Sequence, residues 1–294
     1  QAINCFIAHP LGLGDVIFTI KGLNTVKKQL KSLSINAYTD QHHWKELLDR
    51  FEIFDSVTHC DRSGIPSDSI YVHQFKYVFE GITDRISNYF GLKFQPSEVV
   101  STLKEADFKS AEMKLKDLGI DLDRPILGVQ AHGNWSAKWW RHFASFCRQA
   151  DLKGYQVLAF GEKPKKQDIV NQTWLGHTSL PTLAAIIKRC QAIVGFDSGI
   201  IHMASILDVP SVSLWGPNDP RFFLLDNEPK NTVAIRLRVP SRHCGEDHCR
   251  AGKNVGSFCP LRNGAIGGDC LDEVTTNLVW NQLKRVLQND NTNM

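Results

Sequence analysis

A carboxylate that could act as a general base follows the first apolar stretch of the chain. Asp15 closes the motif Gly12-Leu13-Gly14-Asp15, shortly after the β-rich residues 3–8. At the carboxyl end of a parallel strand, such a group can accept a proton from an attacking hydroxyl. Gly12 and Gly14 would permit tight backbone geometry and close approach of a substrate. The alternative is that Asp15 caps the helix that follows.

A second link, QAHGNWSAKWW at residues 130–140, combines small polar residues with a cation. A lysine beside the start of a helix is suited to binding phosphate, because helix amide groups and the ammonium both attract anions. The competing interpretation is a solvated loop whose tryptophans anchor it in the core. The candidate anion-binding residues are Gly133, Asn134, Ser136 and Lys138.

A third link, GFDSGIIHMAS at residues 195–205, places Asp197, Ser198 and Gly199 at the start of a helix. His202 follows three residues after Gly199, about one helical turn further on. That spacing can aim an acid, a hydroxyl, an amide and an imidazole at one site. Taken singly, Asp197 or Ser198 is a helix cap and His202 a satisfied core histidine. The proline-stiffened turn LWGPNDP at 214–220 follows the next strand and strengthens the interpretation as a site.

Four of the eight cysteines crowd into residues 244–270 with the spacing C-x4-C-x9-C-x10-C. Four thiolates could bind a structural Zn or Fe ion tetrahedrally, and His243 or His248 could replace one of them. The alternative is a surface loop with free thiols. The cysteines are Cys244, Cys249, Cys259 and Cys270, whereas Cys5, Cys60, Cys147 and Cys190 are scattered through apolar segments and are expected to behave as small hydrophobes.

These residues are separated by short apolar strands that alternate with amphipathic helices. Such alternation with Gly-rich links predicts an α/β fold with doubly wound parallel sheets. The alternation of strands and helices begins again after the connector at residues 119–125. We therefore expect two Rossmann-like lobes facing a central cleft, residues 1–122 and 123–294. The second lobe would include the Cys-rich loop at 243–270 and a C-terminal helix over 271–287.

Composition narrows the classes of function. The chain has 294 residues, 42% of them hydrophobic, and 34 basic against 31 acidic residues give a net charge of only +3. So weak a charge does not predict a nucleic-acid partner. No apolar run reaches the roughly 18 residues of a membrane span, and no secretory signal pattern is present. We expect a cytoplasmic protein. Lys21, Lys27, Lys28 and Lys31 are interpreted as a solvated helix face, with contact to an anionic lipid surface as the alternative.

The segment 179–220 resembles the signature of glycosyltransferase family 9, the ADP-heptose:lipopolysaccharide heptosyltransferases. The shared pattern is a D-[ST]-G-x-x-H helix start, a V-P turn at Pro210 and a G-P-x-D-P loop at residues 216–220. The opening G-x-G-D-V and the K-x-W of residues 138–140 also match. The resemblance spans most of the chain.

The resemblance implies a GT-B fold, with the acceptor on the first lobe and a nucleotide-sugar, most simply ADP-heptose, on the second. It implies inversion at the anomeric carbon with Asp15 as base and without a catalytic metal. Lys138 would face the diphosphate, Asp197 the sugar hydroxyls, and Glu162 the ribose. Ser198 and Gly199 would lie near the phosphates, with His202 lining the site. The D-x-D at 121–123 is interpreted as turn chemistry.

The resemblance leaves the acceptor open between a lipopolysaccharide core sugar, a lipid-linked saccharide and a protein. An enzyme of this kind would suit peripheral contact at the inner face of the membrane, which is the alternative role of the four lysines. The cysteine motif is similar to that of bacterial autotransporter heptosyltransferases, which carry iron, and this favours the metal. Two alternatives remain: a nucleotide-sugar epimerase with the same fold, and a non-catalytic binding module that forms a homo-oligomer through the metal loop.

Overall fold

A computed structural model describes residues 2–8, 11–75, 82–95, 97–130, 140–161, 173–216, 220, 232–235 and 269–291. The chain divides into two compact units. Unit 1 comprises Gln1–Ser110 with Ser179–Ala185, and unit 2 comprises Ala111–Thr178 with Ile186–Met294. Each unit is built on a parallel sheet, as the alternation of strands and helices predicts.

Unit 1 contains a four-stranded sheet in the order β3-β2-β1-β4, in which every pairing is parallel. Strands β1 and β2 pair from Ala2 with Ser34 to Phe6 with Tyr38. Because the strands are parallel, the links that follow them emerge at one edge of the sheet. The elements are β1 Ala2–Phe6, α1 Leu13–Gln29, β2 Ser34–Thr39, α2 His42–Leu48, β3 Ser56–His59, β4 Ile70–Tyr71, α3 Ile82–Tyr89 and α4 Glu105–Asp117.

Helix α1 is buried on nearly every side over residues 16–20 and 22–26, and it packs closely on α3. A methyl group added at Gly22 would lie 3.1 Å from Ile86 Cβ and 3.3 Å from Thr83 Cα. Glycine therefore lets the two helices approach more closely than any other residue would. This contact fixes the helix whose first turn carries Asp15.

Two ion pairs join segments of unit 1 that are distant in sequence. Arg50 Nε lies 2.7 Å from Asp107 Oδ2, and both side chains are largely buried. Asp107 also accepts the backbone N–H of Lys104, so it caps the start of α4. Lys27 Nζ lies 2.8 Å from Asp55 Oδ2, and its side chain is only 26% exposed. The prediction of a solvated face is therefore wrong for Lys27, because its ammonium ties α1 to the segment before β3.

Unit 2 contains a six-stranded sheet in the order β10-β9-β8-β5-β6-β7, again with parallel pairings. The chain crosses from β6 and β7 back to β8, so the direction of winding reverses beside β5. The elements are β5 Ile126–Gln130, α5 Phe143–Leu152, β6 Gln156–Phe160, β7 Thr173–Trp174, α6 Leu180–Arg189, β8 Ala192–Phe196, α7 Gly199–Ile206, β9 Ser211–Leu214, β10 Thr232–Ile235, α8 Asp269–Asp272 and α9 Thr276–Asn291.

The core of unit 2 joins the sheet to α5 and the C-terminal helix. Trp280 of α9 stacks on Phe146 of α5 with ring centroids 4.8 Å apart. Trp140 Nε1 donates to the Val274 carbonyl at 2.7 Å, which fixes the chain entering α9. The C-terminal helix thus stabilises the layer that supports the ends of β5 and β8.

Most predicted elements are confirmed, and the exceptions are short. The alternation predicts a strand over residues 70–74, but β4 ends at Tyr71 and the chain continues as a 3-10 turn. The alternation also predicts a helix from near Trp139, but α5 begins at Phe143. Helix α9 begins at Thr276 rather than at residue 271, after the separate short helix α8. Helix α2 and strands β7 and β10 were not predicted. A further helix, which the alternation predicts past Pro164, lies outside the described residues.

Candidate active site

Asp15 lies in the first turn of α1, at the carboxyl edge of the unit 1 sheet. Its Oδ2 accepts the backbone N–H of Gly12 at 2.8 Å, so the carboxylate does cap the helix. Gly12 has φ −88° and ψ 172°, and an added methyl group there would make only ordinary contact with Asp15. The expected tight geometry is therefore wrong for Gly12, while Gly14 lies within the helix itself. The cap fixes the direction of a half-buried carboxylate.

Polar and aromatic side chains also follow the neighbouring strands at this edge. The His42 and His59 rings lie 5.7 Å apart, after β2 and at the end of β3. Arg62 Nε lies 3.8 Å from Asp40 Oδ2 and its side chain is 77% exposed. Tyr71, 41% exposed at the end of β4, packs edge-on against Phe6. The sequence reasoning missed these groups, although each lies within three residues of the end of a strand.

The carboxyl edge of the unit 2 sheet holds a buried acid–imidazole pair. Asp197 directly follows β8, and its Oδ1 lies 3.2 Å from Nε2 of His202 on α7. The two residues are 8% and 2% exposed. A buried carboxylate requires compensation by hydrogen bonds or opposite charge, which the imidazole contributes. The predicted convergence of Asp197 with His202 is therefore present in the structure.

Ser198 and Gly199 start α7 beside this pair. Ser198 is the N-cap residue, but its side chain makes no capping hydrogen bond. Instead, its hydroxyl donates to the side-chain oxygen of Gln130, the last residue of β5. Gln130 heads the 130–140 link, yet sequence reasoning did not select it as a site residue.

Trp215 completes the described part of this edge. Its ring centroid lies 6.2 Å from that of His202, and its Nε1 donates to Ser213 Oγ at 2.7 Å. Trp215 is fully buried, so its ring packs near the imidazole inside the protein and does not contact solvent. Its position at the end of β9, just before Gly216, was the available sequence signal.

Several predicted site residues lie outside the described part of the chain. These are Gly133, Asn134, Ser136 and Lys138 of the anion-binding link, Glu162, residues 217–219 of the proline turn, His243, His248, Cys244, Cys249 and Cys259. The backbone of Cys270 belongs to α8, and its side chain is likewise not described. Among the described residues, no group of three or more metal-binding side chains converges.

The D-x-D of residues 121–123 has the predicted turn role. Asp121 Oδ1 accepts the backbone N–H of Asp123 at 3.0 Å, and Gln156 accepts the N–H of Asp121 at 2.8 Å. The motif precedes β5 and so lies at the amino edge of the sheet, opposite Asp197. These bonds account for both aspartates as connector residues.

Three of the scattered cysteines are inert thiols. Burial raises the pKa of Cys5, Cys147 and Cys190 to about 12. They are protonated at neutral pH and pack as small apolar groups, as predicted. Cys60 differs, because it is half-buried at the end of β3, where burial and two nearby aspartates raise its pKa.

Solved structures of similar fold superpose on nearly the whole chain. A family 9 glycosyltransferase from Veillonella parvula superposes with a TM-score of 0.71 at 17% identity, covering 98% of this chain and 97% of that one. The iron-containing dodecameric glycosyltransferase TibC of enterotoxigenic E. coli superposes with a TM-score of 0.68 at 12% identity, covering 98% and 76%. At such identities the likeness establishes the fold alone. The two parallel-sheet units therefore have the GT-B fold.

The family follows from sequence. The family model of glycosyltransferase family 9 (heptosyltransferase) matches residues 69–254, more than half of the chain. The chain therefore belongs to glycosyltransferase family 9. Over 122 residues it is 33% identical to lipopolysaccharide heptosyltransferase 2 of Salmonella typhimurium, covering 36% of this chain and 35% of that protein. The matched stretch thus spans about a third of this relative's length.

None of the described helices is both long enough and apolar enough to cross a membrane.

Proposed function

We propose that the protein transfers heptose from ADP-heptose to a hydroxyl group of a lipopolysaccharide core. The observation that carries the proposal is the buried Asp197–His202 pair beside the start of α7, at the carboxyl edge of the unit 2 sheet. This pair lies within the stretch matched by the family model. The matched heptosyltransferase 2 of Salmonella acts on lipopolysaccharide by name, and TibC has been solved with ADP-D-β-D-heptose.

The donor would bind to unit 2. Ligands of open α/β sheets bind outside the carboxyl ends of the strands, beside a switch in winding direction, and β5 and β8 flank that switch here. The first turn of α7 presents backbone N–H groups that suit a diphosphate. Asp197, held by His202, would accept hydrogen bonds from sugar hydroxyls. Lys138 and Glu162 would contact the diphosphate and the ribose.

The reaction would be a single displacement that inverts the anomeric centre. Asp15 would take the proton of the acceptor hydroxyl while that oxygen bonds to the anomeric carbon. The bond from this carbon to the diphosphate oxygen breaks, and ADP leaves with the electron pair. The Gly12 N–H already holds one carboxylate oxygen of Asp15 at 2.8 Å, which orients the base. Cationic and N–H groups of the donor site would stabilise the charge that develops on the diphosphate.

The cysteine motif would hold a structural iron or zinc ion. Four thiolates are a donor set that both ions accept tetrahedrally, and they leave no coordination position open for substrate. We expect Cys244→Ser to lower the metal content of the purified protein, measured by mass spectrometry, and its melting temperature. The control Cys60→Ser should change neither by a comparable amount. Full metal content in Cys244→Ser would exclude this site.

We further propose that the protein is cytoplasmic and contacts the inner face of the membrane. The segment that follows α3 lies beside the end of α1, because Gln29 Nε2 donates to the Lys93 carbonyl at 3.1 Å. Tyr89, the last residue of α3, is 58% exposed, and Lys28 and Lys31 near the end of α1 are also exposed. Exposed aromatic and basic side chains together suit an anionic lipid surface. Flotation with vesicles containing anionic lipid, repeated with Lys28→Ala/Lys31→Ala, tests this contact.

Calorimetric titration with ADP, UDP, GDP and CDP tests the donor assignment. We expect selective binding of ADP that Lys138→Ala weakens, followed by transfer from ADP-heptose to a heptose-deficient core acceptor. Preference for another nucleotide would reject heptose as the sugar. Failure to bind any nucleotide would favour a non-catalytic module, and sugar conversion without an acceptor would favour an epimerase. Transfer to protein instead of core saccharide would reassign the acceptor.

A further inference from the structure

Gln130 holds the Ser198 hydroxyl away from the helix that Ser198 begins. A serine at the N-cap position normally accepts a hydrogen bond from the second or third N–H group of its helix. Here the Ser198 side chain makes no such bond and donates to Gln130 Oε1 instead. The first N–H groups of α7 therefore lack the cap that their own sequence provides.

The space for this contact is created by Gly195. Strands β5 and β8 pair in register up to Val129 and Val194, so Gln130 and Gly195 follow side by side. A methyl group at Gly195 would lie 3.0 Å from Gln130 Cβ and 3.5 Å from its Oε1. Gly195 has no positive φ, so the glycine is required for this space and not for its backbone conformation. Any larger residue would displace the Gln130 side chain.

The bond also fixes the orientation of the Gln130 amide. Because Ser198 holds the oxygen, the amide nitrogen with its two N–H donors is directed elsewhere. No described residue accepts a hydrogen bond from this nitrogen. The amide nitrogen of Gln130 thus lies at the carboxyl edge of the sheet, where α7 also begins without a side-chain cap from Ser198. Both features favour an anion, and neither would suit a carboxylate at position 130.

We propose that Gln130 is a positioning residue for the donor diphosphate: its amide oxygen withholds Ser198 from capping α7, and its amide nitrogen donates to the phosphate oxygens. This inference rests on the proposed function, because it deepens the description of the same donor site. It assigns a role to a polar side chain that touches Ser198 from a neighbouring strand. It also explains the need for Gly195.

Gln130→Glu separates this role from simple structural support. The carboxylate can still accept the Ser198 hydrogen bond, so a residue needed only as an acceptor would tolerate the change. A residue facing the diphosphate would not, because two donors are lost and a negative charge is added. We expect ADP affinity to fall about 10- to 100-fold, as for hydrogen bonds to charged groups. Adenosine affinity should be unchanged, and Gln191→Glu at the amino end of β8 is the matched control.

Gln130→Ala gives a second readout. Ser198 is then released to cap α7, so ADP affinity should fall about 3- to 10-fold while the melting temperature does not fall. In the Ser198→Ala background the same substitution should cost less, since one of its two effects is already absent. Purely structural support would instead lower stability and affinity together.

The outcomes distinguish this inference from the proposed function. If wild-type protein binds no ADP, the proposed function fails. If wild-type protein binds ADP and Gln130→Glu binds it as tightly as Gln191→Glu does, the role of Gln130 is rejected and the function stands. Equal loss of adenosine and ADP affinity would also overturn the diphosphate assignment.

Discussion

The carboxyl edges of the two sheets are built differently. In unit 2, Asp197 and His202 are 8% and 2% exposed and hold each other. In unit 1, the side chains at the edge are open: Arg62 is 77% and His42 is 73% exposed. A buried polar pair has one arrangement because its partners have no water to replace them. Exposed groups are free to be exchanged without disturbing the fold.

This difference agrees with the proposed division of labour. A donor common to a family needs a preformed site, whereas acceptors vary and are met by surface groups on a constant scaffold. Asp15 is the exception at the open edge, because the Gly12 N–H holds it at 2.8 Å. The substitutions below test whether the side chains that hydrogen bonds hold in place are the functional ones in both units. They are given in decreasing order of expected effect.

Asp15→Asn should have the largest effect. The amide oxygen can still accept the Gly12 N–H, so the helix cap and the fold are retained, but the side chain can no longer take a proton. We expect kcat to fall at least about 10²-fold, within the range for loss of a general base. Transfer assays with ADP-heptose measure the rate, and calorimetry should show unchanged ADP affinity. Retained turnover with the amide would leave Asp15 as a cap only.

His202→Ala tests the fixed geometry of the unit 2 edge. Removing the imidazole from a carboxylate that is 8% exposed should lower the free energy of unfolding by about 3 kcal/mol. If Asp197 contacts the sugar, KM for ADP-heptose should rise more than Kd for ADP. His202→Gln retains an N–H donor and should restore part of both. Urea unfolding and steady-state kinetics measure the effects, and an unchanged KM would reduce the pair to a core contact.

The Arg50–Asp107 pair is the matching buried pair in unit 1, but it lies after α2 and away from the edge. A hydrogen bond from Arg50 lowers the pKa of Asp107. A carboxylate with a lowered folded pKa stabilises the protein above its unfolded pKa, near 3.9, and this stability is lost as the pH falls toward the folded value.

Asp107→Asn should therefore cost about 2 kcal/mol at pH 7 and remove part of the loss of stability as the pH falls below about 4. Denaturant unfolding across that range measures the effect. Glu105→Gln removes an exposed partner of Lys109, so it should change stability by less than 1 kcal/mol. ADP affinity should be unchanged in both variants. Weakened ADP binding in Asp107→Asn would mean that this pair is not merely part of the scaffold.

Sequence reasoning predicted the parallel-sheet fold and the residues of the third link because local patterns specify both. Apolar alternation locates strands, and a helix start after a strand locates Asp197, Ser198 and Gly199. It missed Gln130 and Gly22 for one physical reason. Their roles depend on partners that are distant in sequence. Gln130 contacts Ser198, which follows the neighbouring strand, and Gly22 of α1 faces Ile86 of α3. Glutamine at a strand end and glycine within a helix carry no local signal of such a contact.

Lys27 was misjudged in the same way. Four lysines on one helix suggest a solvated face, but Asp55 and the Ile53 carbonyl, 28 and 26 residues further on, meet the ammonium at 2.8 Å. Helical periodicity places a side chain on a face of its own helix. It cannot show which later segments of the chain pack on that face. It therefore predicts exposure correctly only where no later segment covers the helix.

The smallest expected effects come from two glycines of α1 and its N-cap. At the open edge, Gly12→Ala adds a methyl group 3.6 Å from Asp15 Oδ2, an ordinary contact, at a φ of −88° that alanine adopts. Within the scaffold, Gly22→Ala adds one at 3.1 Å from Ile86 Cβ, so α1 and α3 must separate.

We expect Gly22→Ala to cost about 1–2 kcal/mol, because overpacking outweighs the helix propensity that alanine gains. Gly12→Ala should change stability by less than about 1 kcal/mol, and thermal unfolding of the two variants measures the difference. If Gly12→Ala nevertheless reduces transfer while ADP affinity is intact, its methyl group obstructs the acceptor, as predicted for a glycine that permits close approach. If the two variants are equally stable, the close approach of α1 to α3 does not contribute to the stability of unit 1.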